Sequence, residues 1–398
     1  MIAKIKKTPK KEMTVKQAKA KTSSSSYYGL VSKEKVVTLT PLPKLVDTGV
    51  HLREQQFKAK LQQCANVYDF SDPLSDIVSK DIKREALLEL IEYVATQPNA
   101  LTEGVYADVV EMVSRNLFRD LPPKVNPLGE AYDPEEDEPV LEMAWPHVQL
   151  VYEFLVRFLE SPDFNPKKAK PHFTKEFVSE LLKLFDSEDP RERDYLKTAL
   201  HRIYGKFLHL RPFVRKEIGD IFVSFAFETG KFNGISEILE ILGSIINGFS
   251  VPLKEEHKEF LTKCMLPLLK APHINSFHSQ LFYCIGQFID KEVGMAEDVL
   301  KYMLRIWPIT NSGKQALFLV ALDEYLGMID PDIFEKLLEP LAKRLKKTIS
   351  DTHFQVCEKS LLLFQNELFV DLFAQFSDFL IPFIYPAVAE VSMTFWNE

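Results

Sequence analysis

Glycine is scarce, with 14 in 398 residues. A chain so poor in it lacks material for turn-rich β-sandwiches and glycine-dependent nucleotide folds, and favours helices joined by short loops. Cysteine is scarcer still. The four at positions 64, 264, 284 and 357 lie far apart and form no C-x-x-C pattern. They read as buried, reduced thiols of an intracellular protein rather than as disulfides or zinc ligands. No apolar run reaches the roughly 18 residues needed to span a bilayer, so no membrane span is expected. The start of the chain has no apolar signal region, and the first fifty residues contain no arginine. A secretory signal and a transit peptide are both disfavoured.

Catalytic patterns are missing too. There is no nucleophile elbow, phosphate-cradling glycine loop, H-E-x-x-H helix or kinase signature. Nine histidines are scattered without metal-ligand spacing, and the carboxylates sit on helical faces with no pair singled out as proton donor and acceptor. The expectation is a protein that is not an enzyme and needs no metal or cofactor.

What is present points to a large helical core. The chain is 46% hydrophobic and carries 30 phenylalanines. Its net charge of −8 disfavours nucleic acid as the main partner. The charge is uneven: residues 1–35 are lysine-rich and hold only Glu12 and Glu34 as acids. Together with Ser23–Ser26 and the prolines at 41 and 43, residues 1–49 read as a flexible tail and lead-in; Lys4–Lys11 alternatively suits nuclear import or an anionic surface.

From residue 50 to 398 the texture is different. Apolar residues recur at i, i+3, i+4 and i+7 in Ala86–Val94, Gln149–Leu159, Phe177–Phe185, Ile235–Phe249 and Ile333–Leu345. Proline marks many junctions, as in Asp72-Pro73, Asp189-Pro190, Pro252, Pro308 and Asp330-Pro331, where its missing N–H suits a helix start. About fourteen to sixteen helices follow, with no strand pattern of useful length. Helix pairs recur at roughly forty residues, near the period of HEAT and armadillo repeats. The expected fold is all-α, a superhelical solenoid of HEAT-like or armadillo-like helix pairs with an extended surface for partners. Trp145 and Trp307 read as core fillers.

Two stretches carry candidate function. Residues 122–139 lack helical periodicity and include Glu130, Asp133, Glu135, Glu136, Asp137 and Glu138, either a solvated loop or one that reaches a basic partner or metal-bearing site. Between 186 and 258, Leu200, Ile203 and Phe207 share a core face, while His201 and Tyr204 lie on a neighbouring face beside Arg202. Arg211, Arg215 and Lys216 follow. The next helix has two apolar stripes, Ile238/Ile241/Ile245 and Leu239/Leu242/Ile246, which imply either a deeply buried helix or apolar pockets open to a ligand. Lys254, His257 and Lys258 come soon after. Apolar pockets beside cations suit an extended peptide that is both apolar and acidic.

The wording of several runs resembles the B-prime regulatory subunits of protein phosphatase 2A. They are DPEEDEP (133–139), AWPHVQLVYEF (144–154), RFLESPDF (157–164), LFDSEDPRERD (184–194), LHRIYGKFL (200–208), LEILGSIINGF (239–249), PLKEEHK (252–258) and HFQVCE (353–358). The resemblance covers about residues 50–398, although 270–350 match in pattern more than in wording. It implies a non-catalytic, substrate-targeting subunit that docks on the phosphatase scaffold and catalytic subunits, and a concave groove for short linear motifs of the form LxxIxE. The groove residues would be His201, Arg202, Tyr204, Arg211, Arg215, Ile241, Ile245, Lys254 and His257. The acidic stretch 130–138 would lie near the catalytic subunit. Cytoplasmic and nuclear localisation is expected. The alternative is another α-solenoid adaptor, such as a transport receptor, that binds peptides without a phosphatase.

Overall fold

The computed structural model describes residues 37–121, 138–394 and 396, and every regular element among them is helical. The helices are α1 (Arg53–Cys64), α2 (Ile77–Thr96), α3 (Tyr106–Leu117), α4 (Trp145–Glu160), α5 (Lys175–Lys183), α6 (Pro190–Lys206), α7 (Arg211–Ser224) and α8 (Ile235–Asn247). Then come α9 (Glu255–Glu259), α10 (His278–Lys291), α11 (Met295–Arg305), α12 (Ser312–Leu326), α13 (Leu338–Ile349), α14 (Phe354–Leu362), α15 (Glu367–Gln375) and α16 (Ser377–Thr394). Single helical turns at Pro166–Ala169 and Pro331–Glu335 punctuate the chain, and α9 continues as wider and then tighter turns through Lys270.

Local sequence explains several of the starts. Asp189 accepts a bond from the Arg191 amide and Pro190 takes the first helical position, so α6 begins with one donor capped and one absent. Thr174 caps α5, Asn311 caps α12 and Asn366 caps α15 in the same manner. The expected helix Ile333–Leu345 is instead a short turn followed by α13, broken at Lys336 and Leu337.

The helices stack in two rows. In one, α2 packs on α4, α4 on α6, α6 on α8, α8 on α10, α10 on α12 and α12 on α14. In the other, α5 meets α7 and α11 meets α13. The repeat is written in the hydrogen bonds between neighbours. Tyr325 donates to Phe282 O over a separation of 43 residues, Lys314 to Ala271 O over 43, and Asn366 to Asp323 over 43. A constant offset between touching residues is what a solenoid requires, because each unit meets only the next. One approach is close: a Cβ built on Gly243 of α8 would sit 2.9 Å from the Tyr283 ring of α10.

The core runs unbroken along both rows, with Tyr106, Tyr152, Tyr325 and phenylalanines 57, 154, 158, 173, 185, 222 and 288 fully buried. Trp307 is buried and donates to Gln315 Oε1 at 2.8 Å; Trp145 is only partly buried beneath the Arg191 guanidinium. All four cysteines are free thiols, and burial pushes Cys64 and Cys284 up to about 12. At neutral pH they stay protonated and unreactive.

For residues 37–49 the expectation of a flexible lead-in needs correction. This segment is a strap laid along α1. Gln56, Lys60 and Gln63 point from one face of α1 at i, i+4 and i+7 and donate to the carbonyls of Pro43, Leu42 and Thr40 at 3.0, 3.4 and 2.7 Å. Leu39 N–H donates to Ser79 Oγ and Leu45 N–H to Glu89, and Leu45 is completely buried. Proline fixes an extended backbone whose carbonyls face outward, which is the geometry these side chains read. A cavity of about 720 Å³ lies between the strap and α2, lined in part by Leu42, Leu45, Glu89 and Tyr93.

No single helix among the described residues is long and apolar enough to cross a membrane; α15 and α16 pass that test only together, across a bend of 114°.

Candidate peptide-binding strip

The residues singled out between 201 and 257 come together across four helices. From α6, His201 is partly buried, Arg202 is exposed, and Tyr204 is buried to 7% exposure. Helix α7 begins with Arg211, whose guanidinium covers the Tyr204 ring at 5.1 Å and donates to Tyr204 O at 3.0 Å. One turn later Arg215 donates to the Tyr204 hydroxyl at 3.1 Å and, with its other terminal nitrogen, to Glu256 of α9 at 2.8 Å. Arg215 thus ties α6, α7 and α9 into one surface.

From α8, Ser244 lies 3.2 Å from His201 Nε2. Burial, then the neighbouring Arg202 charge, lowers the His201 pKa. His257 of α9 packs flat on Phe249, its Nε2 lies 3.3 Å from Glu256, and its Nδ1 is buried without a hydrogen-bond partner. Its pKa is lowered too, first by burial and then by Arg215. Lys254 stands exposed at the start of α9, and Lys216 is exposed on α7.

Ile241 and Ile245 differ from the open-pocket alternative. They are 2% and 6% exposed, and the stripe Leu239, Leu242 and Ile246 is equally buried. Of the two readings of α8, the deeply buried one holds. The cause is position: α8 packs between α6 and α10, leaving only the polar line Glu240, Ser244 and Asn247 exposed. The isoleucines therefore offer edges rather than open walls.

Three acids escaped the sequence reading. Glu160 of α4 accepts from Arg202 at 2.8 Å and 2.9 Å, Glu256 accepts from Arg215, and Glu240 pairs with Lys197 at 2.7 Å. The signal that finds them is the repeat itself. Arg202 and Glu160 are 42 residues apart, Arg215 and Glu256 41, Lys197 and Glu240 43.

Of the acidic stretch, Glu130, Asp133, Glu135, Glu136 and Asp137 lie outside the described residues, and Glu138 is exposed. The residues flanking it are pinned. Arg119 pairs with Glu142 at 2.9 Å and with Glu192 of α6 at 2.7 Å, all three nearly fully buried. Among the described residues no three His, Cys, Asp or Glu side chains converge as a metal site would need.

A family profile described as the protein phosphatase 2A regulatory B subunit (B56 family) matches residues 42–398. The chain belongs to that family. Among its relatives, the 56 kDa regulatory subunit alpha isoform of Mus musculus is 48% identical over 385 residues, covering 97% of this chain and 79% of that protein. The delta isoform of Homo sapiens is 50% identical over 381 residues, covering 96% and 63%. The delta isoform of Saccharomyces cerevisiae is 50% identical over 354 residues, covering 89% and 47%. This B56-family chain is therefore a regulatory subunit of protein phosphatase 2A, and the strip described above is a feature of that subunit's solenoid.

Proposed function

We propose that this subunit has no catalytic activity of its own and recruits substrates to the phosphatase by holding LxxIxE-type peptides across α6, α7, α8 and α9, while other surfaces dock on the scaffold and catalytic subunits. The observation that carries the reading is the Arg215 guanidinium, which bonds Tyr204 and Glu256 at once and so makes residues 201–257 one cationic strip. Arg202 and His201 face the peptide's terminal glutamate; Arg211, Lys254 and His257 face acids or phosphate near its start. The edges of Ile241 and Ile245, one turn apart, meet its leucine and isoleucine. Burying two such side chains contributes about 3–6 kcal/mol before ordering costs, consistent with micromolar affinity. The subunit works in cytoplasm and nucleus.

Calorimetry with a short LxxIxE peptide tests this. His201→Ala or Arg202→Ala should weaken binding about tenfold without loss of stability. A peptide with both apolar anchors changed to alanine should not bind; if it binds as its parent does, the strip is not the site. Purified chain that dephosphorylated a phosphopeptide, free of any catalytic subunit, would refute the non-catalytic assignment.

A further inference from the structure

The cations of the strip are not held open. Arg215, whose side chain is 14% exposed, bonds Glu256 Oε1 at 2.8 Å, and the same oxygen lies 3.3 Å from His257 Nε2. Glu256 thus sits where an anionic ligand of both side chains would sit. Its own side chain is 53% exposed, and these two contacts are its only described side-chain partners. Beside it, the His257 side chain is 7% exposed, and its buried Nδ1 has no hydrogen-bond partner.

We propose that Glu256 is a built-in competitor at an anion subsite formed by Arg215 and His257. A carboxylate of the chain neutralises Arg215 and occupies the place beside the His257 ring until a phosphate or carboxylate on the bound peptide takes its place. The exchange lowers affinity for anion-bearing peptides only, since a peptide with a neutral residue at that position leaves Glu256 undisturbed. The competitor is a mild one. An ion pair open to water on one side is weak, so exchange needs no rearrangement of the fold. It makes occupancy reversible, and it sets how much negative charge a client must carry to gain from this end of the strip. The argument rests on the peptide-binding reading above.

Calorimetry with two LxxIxE peptides tests the proposal, one with serine and one with phosphoserine next to the leucine. Each is titrated into wild type, Glu256→Gln and Glu255→Gln. Glu255 is the control, an 84%-exposed acid on the same turn that pairs with Lys258 rather than with the subsite. Glu256→Gln should tighten the phosphopeptide about three- to fivefold, the range of a partly exposed ion pair, and leave the unphosphorylated peptide unchanged. Glu255→Gln should change both by less than about twofold. An unchanged or weakened phosphopeptide in Glu256→Gln overturns the proposal. So does an equal gain in Glu255→Gln, which would mean only the general charge matters. Failure of the wild type to bind either peptide would instead remove the strip reading, and this proposal with it.

Discussion

Arg119 bonds both carboxylate oxygens of Glu192, at 2.7 and 2.8 Å, with neither side chain more than 3% exposed. The pair joins the end of the first three helices to the beginning of α6, and Tyr152 of α4 adds a bond to Glu192 at 2.9 Å. Arg119→Met would strand the Glu192 carboxylate in the core. We expect a loss of about 3–5 kcal/mol in urea unfolding, as for other broken buried pairs. Arg119→Met with Glu192→Gln should recover part of it, because only one of the two buried carboxylates that Arg119 holds, that of Glu142, then stays charged. A single variant as stable as wild type would show that the pair contributes nothing.

A second buried group makes stability depend on acid. His147 of α4 lies 2.9 Å, through Nε2, from the carbonyl of Lys80, and burial followed by the Lys83 charge lowers its pKa from 6.5 to about 3. Lys80 and Arg84 add to the positive surroundings. Since the folded value lies below the unfolded one, the neutral ring's contribution is fully present above pH 6.5 and is lost as pH falls towards 3. At pH 5 the loss is about 2 kcal/mol. Unfolding midpoints measured from pH 7.5 to 4.5 should fall more steeply in wild type than in His147→Gln. Parallel curves would refute the assignment.

The strap predicts a difference between two truncations. Removing residues 1–36 should leave thermal unfolding and amide exchange in α1 and α2 unchanged. Removing residues 1–49 should raise exchange across α1 and α2 and lower the midpoint by several degrees, because Leu45 and the carbonyls read by Gln56, Lys60 and Gln63 go with it. The effect should be confined to the first repeats, since each unit of a solenoid contacts only its neighbours. Equal exchange in the two truncated chains would mean that the strap is not part of the folded unit.

Particular residues show what the sequence could disclose. Asp189-Pro190 announced the start of α6 because capping is local chemistry, complete within three residues. Asp72-Pro73 looked the same but caps a turn at Leu74, and α2 begins only at Ile77, after Asp76 adopts a φ of 50°. Which use a capping aspartate finds depends on what packs behind it. The cations of the strip were legible as residue types on one face. Their acids, Glu160 and Glu256, were not, because each belongs to the neighbouring repeat and becomes visible only through the offset of some forty residues. Ile241 and Ile245 had the spacing of pocket residues, yet spacing cannot tell how many neighbours a helix has. Packing between α6 and α10 buried them.

The strip should also take up protons when it binds an acid. His257 has its pKa lowered from the usual 6.5, by burial first and by Arg215 second, so in the free protein the ring is largely neutral at pH 7. An anion brought against it favours the charged form and raises that value. The affinity of an LxxIxE peptide with aspartate next to its leucine should therefore increase as pH falls from 7.5 to 6, a window in which the aspartate itself stays ionised. Calorimetry in two buffers of different ionisation enthalpy would report the protons directly: uptake on binding at pH 6.5 in wild type, and close to none in His257→Gln. The peptide with asparagine in place of the aspartate should show the smaller value in both proteins. Equal proton uptake in wild type and His257→Gln would mean that another group meets the peptide's acid, and His257 would then be a core ring stacked on Phe249 and nothing more.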